Sequence, residues 1–127
     1  MKIRAADFRR RLRGHLRALG LGAWDARVRV NRTLDECRDE DHREDAAFTD
    51  VEDGYAIARV EVNEYNLGAR PDLDELAAHE AAHILLWRLG TLAESAVGEA
   101  QRPVAAAILE DCVEALGRAL ARGGARR

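Results

Sequence analysis

The sequence predicts an α+β domain, a minimal fold of three main helices with a small, mostly antiparallel sheet of about three strands. Three observations carry that expectation. Long stretches near both ends and in the middle repeat apolar residues at helical spacing, shorter runs between them alternate, and Gly or Pro punctuates the joints. At 127 residues the chain has the size of one domain. It divides into a basic N-terminal helix within 1–22, a core over 24–121 and a basic tail over 122–127. Hydrophobic residues make up 47% and charged residues 34%, a balance that suits a folded chain. Only six residues are aromatic against 24 alanines, so the core must be built from small side chains.

The first helix is expected over Ala5–Leu19, where Phe8, Leu12, Leu16 and Leu19 form one apolar stripe and Gly20 offers a stop. Trp24, Ala26, Val28 and Val30 alternate with Asp25, Arg27 and Arg29, the pattern of a half-buried strand. The acidic stretch that follows begins as a solvated loop. Ala47–Val51 and Tyr55–Val62 are the next strands, and Asp53-Gly54 between them signals a tight hairpin turn. A second helix starts after Pro71, with Asp72 as its cap and Glu75 completing a capping box, and continues to Leu89, where Gly90 marks an end. Residues 91–101 read as a short turn and loop. Pro103 suits the first turn of a third helix, which should reach Ala121 before Gly123-Gly124 frays it.

Several classes are excluded at this level. The longest apolar run, Val104–Leu109, is far short of the roughly 20 residues of a bilayer span. The opening MKIRAADFRR turns charged where a signal peptide needs its apolar core, so a cytoplasmic protein with two reduced thiols is expected. The net charge of −3 hides segregation. Lys2, Arg4, Arg9, Arg10, Arg11, Arg13 and Arg17 face one acid, Asp7, in the first 19 residues, and Arg118, Arg122, Arg126 and Arg127 close the chain. Residues 35–53 carry ten acids against Arg38 and Arg43. Such basic segments attract phosphate, yet no zinc-finger spacing or aromatic interleaving accompanies them. Pairing with the acidic loop is therefore preferred over a nucleic acid partner.

The informative residues are His79-Glu80-Ala81-Ala82-His83, an H-E-x-x-H motif on the second helix. Residues four apart lie on the same face, so two imidazoles converge on one zinc ion while Glu80 reaches the water to be activated. On a helical wheel His79 and His83 fall among Leu76, Leu86, Trp87 and Leu73, opposite Asp74 and Arg88, near the middle of the expected buried face. Two buried neutral imidazoles without partners would waste hydrogen bonds, and a shared metal removes that cost.

A catalytic zinc site needs a third protein ligand. In the third helix the apolar arc holds Ile108, Cys112, Leu116, Leu109, Leu120 and Val113; Glu114 lies nearly opposite its centre. Glu110 sits at one edge beside the small residues Ala106 and Gly117, and Asp111 at the other, so the wheel alone does not separate those two. Cys37, 42 residues before His79, is a rival with the separation seen in peptide deformylases, although Asp35-Glu36-Cys37-Arg38-Asp39-Glu40 lacks that family's signature. Cys112 reads as a small core residue. Tyr65, His42 and Tyr55 are candidate donors to an oxyanion.

Pro71 to Leu86 around the motif, the preceding Val60-Glu61-Val62-Asn63, and the later Glu110-Asp111-Cys112-Val113-Glu114-Ala115-Leu116 resemble the small zincin-like metallopeptidase domains of phages, prophages and mobile elements, more distantly related to the ImmA/IrrE peptidases. The resemblance covers roughly residues 24–120 in element order, and its specific part is H-E-x-x-H. It implies a zinc-dependent hydrolase acting on a protein or peptide, with His79, His83 and Glu110 as metal ligands and Glu80 as general base. The alternatives are a metal-stabilised domain that only binds a partner, the acidic segment docking a basic one, and a nucleic-acid-associated protein.

Overall fold

The computed structural model describes residues 2–125; Arg126 and Arg127 of the basic tail lie outside the described residues. The order is α1 (Ala5–Ala18), β1 (Asp25–Asn31), β2 (Ala47–Glu52), β3 (Ile57–Asn63), α2 (Leu73–Ala96) and α3 (Arg102–Ala125), joined by short 3-10 turns. The α+β class with three helices and three strands stands. The sheet is mixed rather than mostly antiparallel: β3 is central, antiparallel to β2 and parallel to β1. Parallel pairing arises because the chain crosses back to the sheet through residues 32–46 instead of turning directly.

Helix α1 ends where expected, with Gly20 at φ +78 taking the left-handed conformation after it. Its stripe of Phe8, Leu12 and Leu16 is buried against Ala26, Ala58, Val60 and Val62 of the sheet and Ala77, Ala81 and Ile84 of α2. Full burial of each large apolar side chain is worth about 1.5–3 kcal/mol. The hairpin between β2 and β3 differs from expectation. A 3-10 turn over Asp53–Tyr55 replaces a two-residue turn, and Ala56 at φ 51, not Gly54, takes the positive angle.

Glycines do different work in the helices. Gly90 is internal to α2, which runs on to Ala96, so the expected stop at Leu89 and the loop over 91–96 are corrected. A Cβ at Gly90 would stand 2.7 Å from Leu109 Cδ2, and one at Gly117 would stand 3.0 Å from His79 Cα. Both glycines therefore let α3 lie close on α2. Likewise α3 passes through Gly123-Gly124 to Ala125. Its buried centre is Val113, whereas Ile108 and Cys112 face outward, so Cys112 is no core residue. Leu89, Leu92, Val104 and Ile108 are each more than half exposed near the α2–α3 connection.

Among the described residues, no hydrogen bond or ion pair joins the basic face of α1 to the acidic loop. Arg10 and Arg11 bond Asp7, Arg11 and His15 approach Asp74 of α2, and Arg9 donates to the Ala26 carbonyl. No helix among the described residues is long and apolar enough to cross a membrane.

Gly117→Ala is expected to destabilise the fold by about 1–2 kcal/mol net in urea unfolding, because overpacking against backbone outweighs the gain of about 1 kcal/mol in helix propensity. Gly90→Ala should cost less, since the atom it meets is the movable end of Leu109. A stabilised Gly117→Ala protein would contradict the close packing.

Candidate metal centre

Asp72 starts α2: its Oδ1 accepts the Glu75 N–H at 2.9 Å. The face turned to the core is not the leucine-rich one. Ala77, Ala78, Ala81, Ala82, Ile84 and Glu80 are buried, whereas the side chains of His79 and His83 retain 27% and 32% exposure. The expectation that both histidines occupy the middle of the buried face is therefore corrected. Alanines let α1 and the sheet approach that side of α2, and the imidazoles open onto a cavity between α3 and the edge strand β2.

Three predicted ligands come together there. His79 Nε2 lies 3.3 Å from Glu110 Oε1, and His83 Nε2 lies 3.6 Å from Glu110 Oε2. The two rings stand edge to face, their centroids 4.9 Å apart. One ligand atom from each residue lies within 4.8 Å of the other two. A tetrahedral ion with bonds of about 2.0–2.1 Å spaces its ligand atoms by roughly 3.4 Å. The two histidine–glutamate separations, each to a different Glu110 oxygen, are close to that spacing, and two imidazoles with one carboxylate form a suitable donor set for zinc.

The rivals are elsewhere. Cys37 is buried, with its thiol directed to the Asp39 carbonyl at 3.6 Å. Asp111 is exposed, and Glu114 lies beside Arg118 at 3.9 Å. Neither belongs to the cluster. Of the candidate donors, Tyr55 is 80% exposed, and Tyr65 gives its hydroxyl proton to the Arg43 carbonyl at 2.8 Å. Only His42 lines the cavity, of about 890 Å³, that contains His79, Glu80, His83 and Glu110.

Glu80 is 2% exposed and accepts the Thr49 hydroxyl proton at 2.6 Å. Burial pushes its carboxyl up to about 7; the Thr49 hydrogen bond and His42 oppose the rise, while the carboxylates of Glu110 and Asp45 add to it. The His83 ring is pushed below its usual value, chiefly by burial, with Glu110 opposing and His79 reinforcing the shift. Thr49 is the residue that sequence reasoning missed. A lone threonine in a strand carries no motif, and only the pairing of β2 with β3 places it over Glu80.

Comparison with family models finds none that matches the chain, and comparison with the curated proteins and with the solved structures finds no match in either.

The folded Glu80 carboxyl holds its proton to about pH 7, while an unfolded glutamate releases it near 4.5. Its contribution to stability is therefore complete below about pH 4.5 and is lost as pH rises through 7. In chelator, Glu80→Gln is expected to match the parent near pH 5 and to exceed it above pH 7.5, by at most about 3 kcal/mol. Identical pH dependence of urea unfolding for the two proteins would contradict this assignment.

Proposed function

We propose that this protein is a zinc-dependent metallopeptidase hydrolysing peptide bonds of a protein or peptide. The supporting observation is that Glu110 of α3 meets His79 and His83 while Glu80, one residue along α2, is buried beside them with a raised pKa. When bound, zinc would supply a Lewis acid that polarises the scissile carbonyl and brings the pKa of water toward about 7. His79, His83 and Glu110 would hold it.

Glu80 has the properties of a proton carrier. Its carboxyl lies near neutrality, where one group can both accept and return a proton. It takes a proton from the attacking water and delivers it to the departing amine. The Thr49 hydroxyl keeps Oε2 in place, which leaves Oε1 for that exchange. Strand β2 is an edge of the sheet, and its residues Ala47, Phe48 and Thr49 line the same cavity. An extended peptide could add to this edge through main-chain hydrogen bonds and lay its carbonyl over the cluster.

A second reading, a metal-stabilised domain that binds a partner without cleaving it, is favoured by the same Thr49–Glu80 bond, which can serve purely to satisfy a buried carboxyl. Zinc content and cleavage of labelled casein separate the two. The peptidase is expected to carry one zinc per chain, lost in His83→Ala and Glu110→Gln. Glu80→Gln should keep the zinc and lose about 10²- to 10⁴-fold in cleavage rate. A parent protein that cannot take up zinc would rule out both readings. Zinc-dependent stability with no Glu80-dependent cleavage would favour the binding domain.

A further inference from the structure

Hydrolysis as set out above uses none of the chain between Cys37 and Ala47, although part of it is tied down from several sides. Asn63 Nδ2 donates to the carbonyls of His42 at 3.0 Å and Asp45 at 2.9 Å. Asn66 Nδ2 donates to those of Arg43 at 2.7 Å and Asp45 at 2.9 Å, and the Tyr65 hydroxyl donates to Arg43 as well. The Asn63 backbone N–H reaches the Ala46 carbonyl at 2.8 Å. Behind them, the buried Asn31 donates from Nδ2 to Asn63 Oδ1 at 2.9 Å. Irregular surface chain is ordinarily mobile and solvated. Here the end of β3 and the turn after it clamp four carbonyls of one loop.

The clamped loop contributes His42, Asp45 and Ala46 to the lining of the cavity. His42 donates from Nδ1 to Asp45 Oδ2 at 2.7 Å. Its ring lies flat on Phe48, with centroids 4.6 Å apart and planes 9° from parallel. The pair is more than 40% exposed on both sides, and an ion pair so exposed contributes little stability. Two restraints on one partly exposed ring, together with the Asn63 bond to its backbone carbonyl, act as an orienting device. With Nδ1 committed to Asp45, Nε2 is the ring nitrogen left for a molecule in the cavity, and a protonated imidazole donates from both nitrogens.

We infer that His42 is a substrate-contacting residue of this cleft, donating from Nε2 to the oxyanion that develops at the attacked carbonyl, with Asp45 and Asn63 as positioning residues. The inference rests on the hydrolytic reading. A ring held beforehand by Asp45 and Phe48 at the wall of the cavity needs little reorganisation during the reaction. The other candidates cannot take this place, because Tyr65 is committed to Arg43 and Tyr55 lies outside the cavity.

Methylphosphonate tests the assignment, since it offers tetrahedral oxyanions without any side-chain preference. Added to the zinc-loaded full chain, it is expected to shift the His42 Cε1–H resonance. His42→Ala should bind it about tenfold more weakly, with zinc content unchanged. His42→Gln, which keeps an N–H donor, should recover part of that loss, and Asp45→Asn should weaken binding by about threefold. An unmoved His42 resonance, or His42→Ala binding as tightly as the parent, would overturn the inference alone. A parent chain that takes up no zinc would overturn it together with the hydrolytic reading.

Discussion

The contact between Gly117 and the backbone of His79 governs the geometry of the centre. A Cβ there would stand 3.0 Å from one backbone atom of His79 and 3.2 Å from another, so only glycine permits the approach without displacing a helix. Glu110 lies two turns earlier on α3, on the same face as Gly117. Wherever Gly117 sets the separation of the helices, Glu110 is therefore carried to the same depth. That depth is what puts its two oxygens 3.3 and 3.6 Å from the two imidazoles. Gly90, about three turns further along α2, makes room in the same way for the Leu109 side chain. The pair of glycines thus does by backbone proximity what a larger protein does with a thicker core.

Close approach also explains how a core this poor in aromatic side chains holds a buried carboxyl. Ala77, Ala78, Ala81 and Ala82 bring α2 near both α1 and the sheet, and Glu80 emerges on the same side. Taking a carboxylate out of water is costly, and the protein answers by letting it keep a proton to about pH 7 and by giving it the Thr49 hydroxyl. An apolar residue of similar size would be cheaper for stability. That buried carboxyl and the histidine pair beside it are the observations on which the proposed chemistry rests.

The element inventory was legible because it depends on short-range patterns: the stripe of α1, the alternation of β1, the Asp72 cap. His79, Glu80 and His83 were legible for a related reason, since helical spacing converts directly into geometry, whereas Glu110 was set apart from Asp111 only by the family resemblance. What failed was inference from bulk. The wheel assigned the buried face of α2 to its leucines and histidines, but alanine buries through proximity, and a hydrophobic scale undervalues it beside leucine. The same error placed Ile108 and Cys112 in the core of α3, although Val113 and Gly117 occupy it. Gly90 was read as punctuation because a glycine used for helix contact and one used for termination look alike in one dimension. The parallel β1–β3 pairing, and the β2–β3 pairing that sets Thr49 over Glu80, depend on the order of strands in the sheet, which no local signal encodes.

The loop over 42–46 shows why such long-range features repay attention. Asn31 and Asn63 face each other in register at the ends of the parallel strands, both fully buried. Asn31 Oδ1 has no hydrogen-bond partner among the described residues, an omission that costs about 1–3 kcal/mol when a polar atom is buried. Two apolar residues at those positions would close the sheet more cheaply. They would also release the carbonyl of His42 and leave that of Asp45 to Asn66 alone, loosening the segment that carries the His42 ring. The asparagine pair thus trades stability for the fixed position of a loop whose own composition, rich in Asp and Glu, favours solvation over order. That trade fits a loop whose location matters, since His42, Asp45 and Ala46 line the same cavity as the histidine–glutamate cluster.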